Sequence, residues 1–120
     1  MRQSFEKIID AGNAATSPLN SSKIDARQIY ALSLVIVSSN GANAGTLKLQ
    51  GSNDMCAFGN VASAFTPTNW VDITSATATV AAGAIGYISV NPVCFAWIRA
   101  VWTPSAGAGT ITVTANSQGF

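Results

Sequence analysis

The side chains that could do chemistry are few and far apart. The chain has no histidine, which removes the commonest general base and metal ligand together. Its five acidic residues, Glu6, Asp10, Asp25, Asp54 and Asp72, are scattered, so a hydrolytic carboxylate pair would have to be assembled across the fold from positions near turns. Cys56 and Cys94 are isolated in sequence; without a secretory signal they are expected as separate reduced thiols. A zinc centre would need two further soft ligands. The Gly-rich run in Pro104–Gly109 lacks the preceding strand, following helix and acidic partner of a dinucleotide fingerprint, and reads as a turn. The expectation is a protein with no catalytic residues, no cofactor and no metal.

Binding residues are a different matter. On a strand through Ala96–Thr103, Trp97, Arg99 and Val101 share one face and Ile98, Ala100 and Trp102 the other. Packing is the plainer role for both tryptophans, with Arg99 meeting a carboxylate or carbonyl. The alternative makes Trp97 with Arg99 a stacking surface for a sugar or a neighbouring chain. Trp70, entering a strand beside Val71 and Ile73, is expected to anchor the core. Asn53 and Asp54 are expected to serve a turn by hydrogen-bonding nearby amides.

Composition limits the partners. Of 120 residues, 48% are hydrophobic and 9% charged, with a net charge of +1; a globular surface ordinarily draws on a chain with about 25% charged residues. The six basic residues (Arg2, Lys7, Lys23, Arg27, Lys48, Arg99) form no stripe, which argues against nucleic acid or a membrane surface as partner. No run has the eighteen or so apolar residues of a membrane helix. Glu6 and Asp10 fall where a secretory apolar region would lie, so no signal peptide is expected, and synthesis in a cytoplasm is.

The elements that must position these residues are strands. Gly, Thr, Ser, Asn and Val dominate, and no segment after Asp10 keeps a 3.6-residue apolar repeat. Ile29–Ser38 is almost continuously apolar, as in a central strand covered on both faces. Gly45–Ser52 alternates, with Leu47 and Leu49 on one side and Lys48 and Gln50 on the other. Further strands are expected near Lys23 and Ile24, and over Val71–Ile73, Ala76–Ala81, Ile85–Val90, Ala96–Thr103 and Thr110–Ala115, with a hairpin loop at Pro104–Gly109. About eight short strands predict an all-β fold, an antiparallel β-sandwich of jelly-roll-like topology. Residues 1–22 are expected as an N-terminal arm, because a small-residue linker separates FEKIID from the sandwich of residues 23–120.

Three runs, GTLKLQGSND (Gly45 to Asp54), TNWVDI (Thr68 to Ile73) and FAWIRAVWTPSAGAGTITV (Phe95 to Val113), resemble small β-sandwich virion proteins of bacteriophages, in which an SND…NW-x-DI…Y-x-R…G-x-G pattern recurs. The resemblance spans Ser21 to Asn116. It implies a capsid, head-decoration or spike-base subunit located in the virion, forming a homo-oligomer (a trimer at first guess) and contacting other virion proteins. Discoidin-like, galactose-binding modules share part of the pattern, and imply the alternative of a glycan- or receptor-binding module.

The chain departs from that pattern at one place. Met55–Pro67 is inserted between SND and NW, and its apolar content is wrong for a solvated linker. Met55, Phe58, Val61 and Phe65 are therefore expected at a subunit interface, together with Phe5, Ile8 and Ile9 of the arm.

Overall fold

The computed structural model describes residues 3–13, 18–38, 44–54, 65–81, 84–106 and 110–119. They form nine strands: β1 (Gln3–Asn13), β2 (Leu19–Asn20), β3 (Ile24–Asp25), β4 (Ile29–Ser38), β5 (Ala44–Ser52), β6 (Val71–Val80), β7 (Ile85–Val90), β8 (Trp97–Ala106) and β9 (Thr110–Gly119). All pairings are antiparallel. One sheet has the order β1-β9-β4-β7; the other has β2-β8-β5-β6, with β3 also pairing β8. The pairs are nested: β1 meets β9, β2 and β3 meet β8, β4 meets β7, and β5 meets β6.

Alternation puts one face of each sheet into a shared core. Leu32, Leu34 and Ile36 of β4 and Ile111, Val113 and Ala115 of β9 meet Leu47 and Leu49 of β5 and Ile98, Ala100 and Trp102 of β8. The all-β sandwich expected from the sequence is thus the fold, with nine strands where about eight were expected.

The N-terminal segment differs from expectation. Rather than leaving the domain, β1 pairs along β9 from Gln3↔Gln118 to Asn13↔Thr110, and β2 pairs β8. Ile8 and Ile9 are consecutive yet both buried, 5% and 7% exposed. A regular strand would send them to opposite faces. The register shift between Lys7 and Ile9 removes that alternation and lets both turn inward. They belong to the chain's own core and not to a subunit interface. Phe5, 67% exposed, stays outside.

Two expected strands, Val71–Ile73 and Ala76–Ala81, are one irregular strand. Residues 73–76 of β6 stand opposite Leu49 alone, between the pairs Lys48↔Thr77 and Gln50↔Asp72, and Ser75 takes a left-handed φ of 64° within this bulge. The turn expected at Pro104–Gly109 starts later, since β8 continues to Ala106. The peptide between Asn91 and Pro92 is cis.

Two glycines of β5 permit close packing of large rings. A Cβ on Gly45 would lie 2.5 Å from the Thr103 carbonyl oxygen and 2.6 Å from the Trp102 ring, and one on Gly51 would overlap the Phe95 ring. Gly45→Ala and Gly51→Ala should each destabilise the domain by about 1–3 kcal/mol through overpacking, read from the urea midpoint. In the same assay Ile8→Ala and Ile9→Ala should each cost about 2–5 kcal/mol, and Phe5→Ala no more than about 0.5 kcal/mol. An arm outside the core would leave all three variants at wild-type stability.

Candidate functional site

β8 carries large side chains on both faces, and its outer face organises the most elaborate polar cluster of the described residues. Trp97 points away from the sandwich core yet is 1% exposed. Its cover comes from two directions: the Phe65 ring lies 5.5 Å from it, centroid to centroid, and the Arg27 guanidinium 5.2 Å above it. Arg27 also forms a two-point pair with Asp25 through Nε (2.9 Å) and Nη2 (2.6 Å), and its hydrogen bonds hold the Asp25 carboxyl below the usual carboxylate range. The Trp97 Nε1–H donates to the Asp54 carbonyl oxygen at 3.0 Å, so the ring is fixed at its polar end as well.

Asp54 joins the two ends of the long loop. One carboxylate oxygen accepts from the backbone N–H groups of Thr68 (2.7 Å) and Asn69 (2.9 Å), and the other from the Asn69 side-chain amide (2.8 Å). Its own N–H donates to Ser52 Oγ at 3.2 Å. Neighbouring Asn53 accepts the Ala96 N–H at 3.0 Å, fixing the entry to β8. Both residues do hydrogen-bond backbone amides as expected, but the amides are 14 to 43 positions away in sequence. The Asn69 side chain, followed by the Asn69 and Thr68 N–H groups, brings the Asp54 pKa down to about 2.

Past this staple, Trp70 donates its Nε1–H to the Pro67 carbonyl (3.1 Å) and lies under Arg99, whose guanidinium carbon is 4.4 Å from the ring centroid. Arg99 Nε donates to Gln50 Oε1 at 2.9 Å, and Gln50 Nε2 donates to Asp72 at 2.9 Å. Asp72 also takes Lys48 Nζ at 3.3 Å, and the Gln50 and Lys48 contacts hold its carboxyl below the ordinary range.

The residues singled out in the sequence therefore separate. Arg99 lies with Trp70 rather than with Trp97, and Trp97 is packing, as the plainer reading had it. Trp70 sits over the outer face of the second sheet instead of in the core. Phe65 packs on Trp97 of its own chain and stays partly exposed. Met55, Phe58, Val61 and Cys56 lie outside the described residues, and Cys94 is an exposed free thiol. Gln50 and Asp72 were not singled out, although Lys48 and Gln50 on the outer side of an alternating strand were the available signal. Among the described residues no three His, Cys, Asp or Glu side chains come together to hold a metal, and no helix is long and apolar enough to cross a membrane.

No family model matches the chain, and no curated protein matches it in sequence. Among solved structures it is similar to the SPBc2 prophage-derived protein YomS, with a TM-score of 0.60 at 11% identity, covering 97% of this chain and 92% of that one. It is also similar to a chain from Bacillus endospore appendages, which form a novel family of disulfide-linked pili, with a TM-score of 0.53 at 15% identity over 98% and 88% of the two chains. At these identities the likeness is one of fold.

Asp54 gives this cluster a pH dependence. Its folded pKa is depressed, so its contribution is fully present above the unfolded value of 3.8 and is lost as the pH falls through about 2. Tryptophan fluorescence of the native protein should change in that window. Asp54→Ala should diminish the change, leaving what Asp25 and Asp72 contribute, and speed proteolytic cleavage between Asp54 and Thr68 at neutral pH, with the sandwich still folded. A variant cleaved no faster than wild type would show that the carboxylate does not hold the loop.

Proposed function

We propose that the protein is a non-enzymatic structural subunit of a bacteriophage virion, a capsid, head-decoration or spike-base component acting through contacts with copies of itself and with other virion proteins. The observation that carries this reading is the outer face of the first sheet. Val35 and Val37 of β4 are 42% and 45% exposed, and Ile85 and Tyr87 of β7 are 71% and 74% exposed. The register places Val35 beside Tyr87 and Val37 beside Ile85, with Thr114 and Thr112 on the other flank. β4, β7 and β9 contain no acidic or basic residue.

Adjoining exposed apolar side chains on a charge-free surface mark a site of association. The sequence of β4 predicted cover on both faces, and within one chain only the inner face receives it. A second copy suits the outer one, since two identical uncharged faces meet without like-charge repulsion. Exposed Phe5, beside Asn116 on β9, extends the surface.

The topology supports the same reading. Nested antiparallel pairing over two sheets, β1-β9-β4-β7 and β2-β8-β5-β6 with β3 also on β8, is what a long hairpin gives when it is rolled up, and we read it as a jelly roll, an architecture that includes viral capsid and lectin domains. The fold likeness to a prophage-derived protein and to a chain of surface appendages agrees with a structural role in an assembly, though fold alone does not specify function. Location in the virion after synthesis in the host cytoplasm follows from this reading.

At micromolar concentration the protein should sediment as a homo-oligomer, with a trimer as the first expectation. Tyr87→Glu with Val35→Glu should raise its dissociation constant at least about tenfold by placing charges in the contact, without loss of the β-sheet circular dichroism signal. Electron microscopy of particles carrying the labelled protein should place it on the virion. A wild-type chain that stays monomeric and is absent from purified particles would defeat the proposal.

A further inference from the structure

A cavity of about 330 Å³ lies beside Arg99. A departure from regular pairing and the returning loop create it. Between the pairs Asn20↔Val101 and Ile24↔Ile98, residues 21–23 face only Arg99 and Ala100, so this strap carries one residue more than β8 and arches away from it. Ser21 ties its base to the strand, exchanging hydrogen bonds with Ala100 through its backbone N–H and its Oγ, both at 2.8 Å. The returning end of the long loop, Thr66, Pro67 and Trp70, closes the opposite side.

We propose that this pocket binds an acidic sugar, a pyranose bearing a carboxylate, with Arg99 holding the carboxylate and Trp70 forming a wall for the ring. The inference goes beyond assembly and does not depend on it. Charge decides the sign of the ligand: among the described residues Arg99 and Lys23 line the cavity, and no acidic residue does. Arg99 is also prepared for an anion. Its plane is set by Trp70 and its Nε is taken by the uncharged side of Gln50, while the negative charge of Asp72 is directed to Lys48. Among the described residues neither Nη is given an acceptor, and the two Nη–H groups form a fork that matches a carboxylate.

The remaining lining selects the rest of the ligand. Half-buried Trp70 offers the part of its indole that Arg99 leaves uncovered as an apolar surface for the C–H face of a pyranose, and it is kept from turning by its bond to the Pro67 carbonyl. Ser22 and Thr66 supply hydroxyls at the rim, able to donate to or accept from sugar hydroxyls. The volume is near the lower end of the roughly 300–1,000 Å³ range of ligand pockets, room for one ring.

The test is a titration of the full chain, followed by tryptophan fluorescence and amide chemical shifts, with glucuronic acid and N-acetylneuraminic acid. Glucuronic acid methyl ester, glucose, acetate and inorganic phosphate are the comparison ligands. At least one sugar acid should bind saturably, perturbing Trp70 and Arg99, and the ester, glucose, acetate and phosphate should each bind at least about tenfold more weakly. Arg99→Gln should weaken the sugar acid by at least about tenfold, and Lys23→Gln, which removes a point charge without the carboxylate-matching fork, by about threefold. If Arg99→Gln does not fold, the ester comparison on the wild-type chain and the Lys23→Gln variant decide. The proposal is overturned by equal binding of acid and ester, by acetate or phosphate matching the sugar acids, or by no saturable response up to the solubility limit of either sugar.

Discussion

A strand with a tryptophan on each face must be covered twice. β8 directs Trp102 into the sandwich and Trp97 out of it, and both are almost wholly buried. The sandwich supplies cover only for the inner side. On the outer side the chain provides it with Phe65 from the returning loop and Arg27 from the segment after β3. Full burial of an aromatic side chain contributes on the order of 1.5–3 kcal/mol, enough to favour a loop conformation that would otherwise cost ordering entropy. The long connection between β5 and β6 is thus a lid over the outer face of its own sheet at the residues where it is described, and Asp54 is what holds that lid at both ends.

Electrostatics follow from the same arrangement. The described charged side chains of the second sheet are organised around β8: Arg27 with Asp25 over Trp97, Lys48 with Asp72 at the β5–β6 register, and Arg99 between Trp70 and Gln50. Exposed ion pairs of this kind add little stability singly. The effect of the Asp25 pair is directional, since it fixes the Arg27 guanidinium that lies over Trp97. The first sheet, by contrast, has three strands without a charge, so the two outer faces of one sandwich are chemically unlike.

Much of the fold was legible because alternation is a local signal. Leu47 and Leu49 against Lys48 and Gln50, or Ile98, Ala100 and Trp102 against Trp97, Arg99 and Val101, assign inner and outer faces correctly before any partner strand is known. What alternation cannot convey is a register shift. Ile8 and Ile9 are assigned to an arm on the strength of the small-residue linker that follows them, and the bulge that turns both of these adjacent residues inward has no mark in the sequence. Residues 73–76 mislead in the same way by dividing one strand into two. The candidate site was legible in part. SND and NW were recognised as a unit, yet their bonds reach across the fold, and the meeting of Trp70 with Arg99 depends on where a long loop returns, which no spacing encodes.

Nested pairing also sets the order in which such a chain can acquire structure. Gln3 finds its partner in Gln118 and Asn13 in Thr110, so the outermost ladder joins residues at opposite ends of the polypeptide, while β5 and β6 are neighbours in sequence. Closing distant segments costs loop entropy before their contacts return anything, and topologies dominated by such contacts fold in milliseconds to seconds rather than microseconds. Loop-closure entropy therefore favours the β5–β6 pair over the β1–β9 ladder as an early contact. Until β1 docks, β9 presents an unpaired edge beside an uncharged face. A chain at that stage would expose the apolar outer face of β4 and β7 together with an open strand, so the interval before β1 docks is the one most open to misassociation.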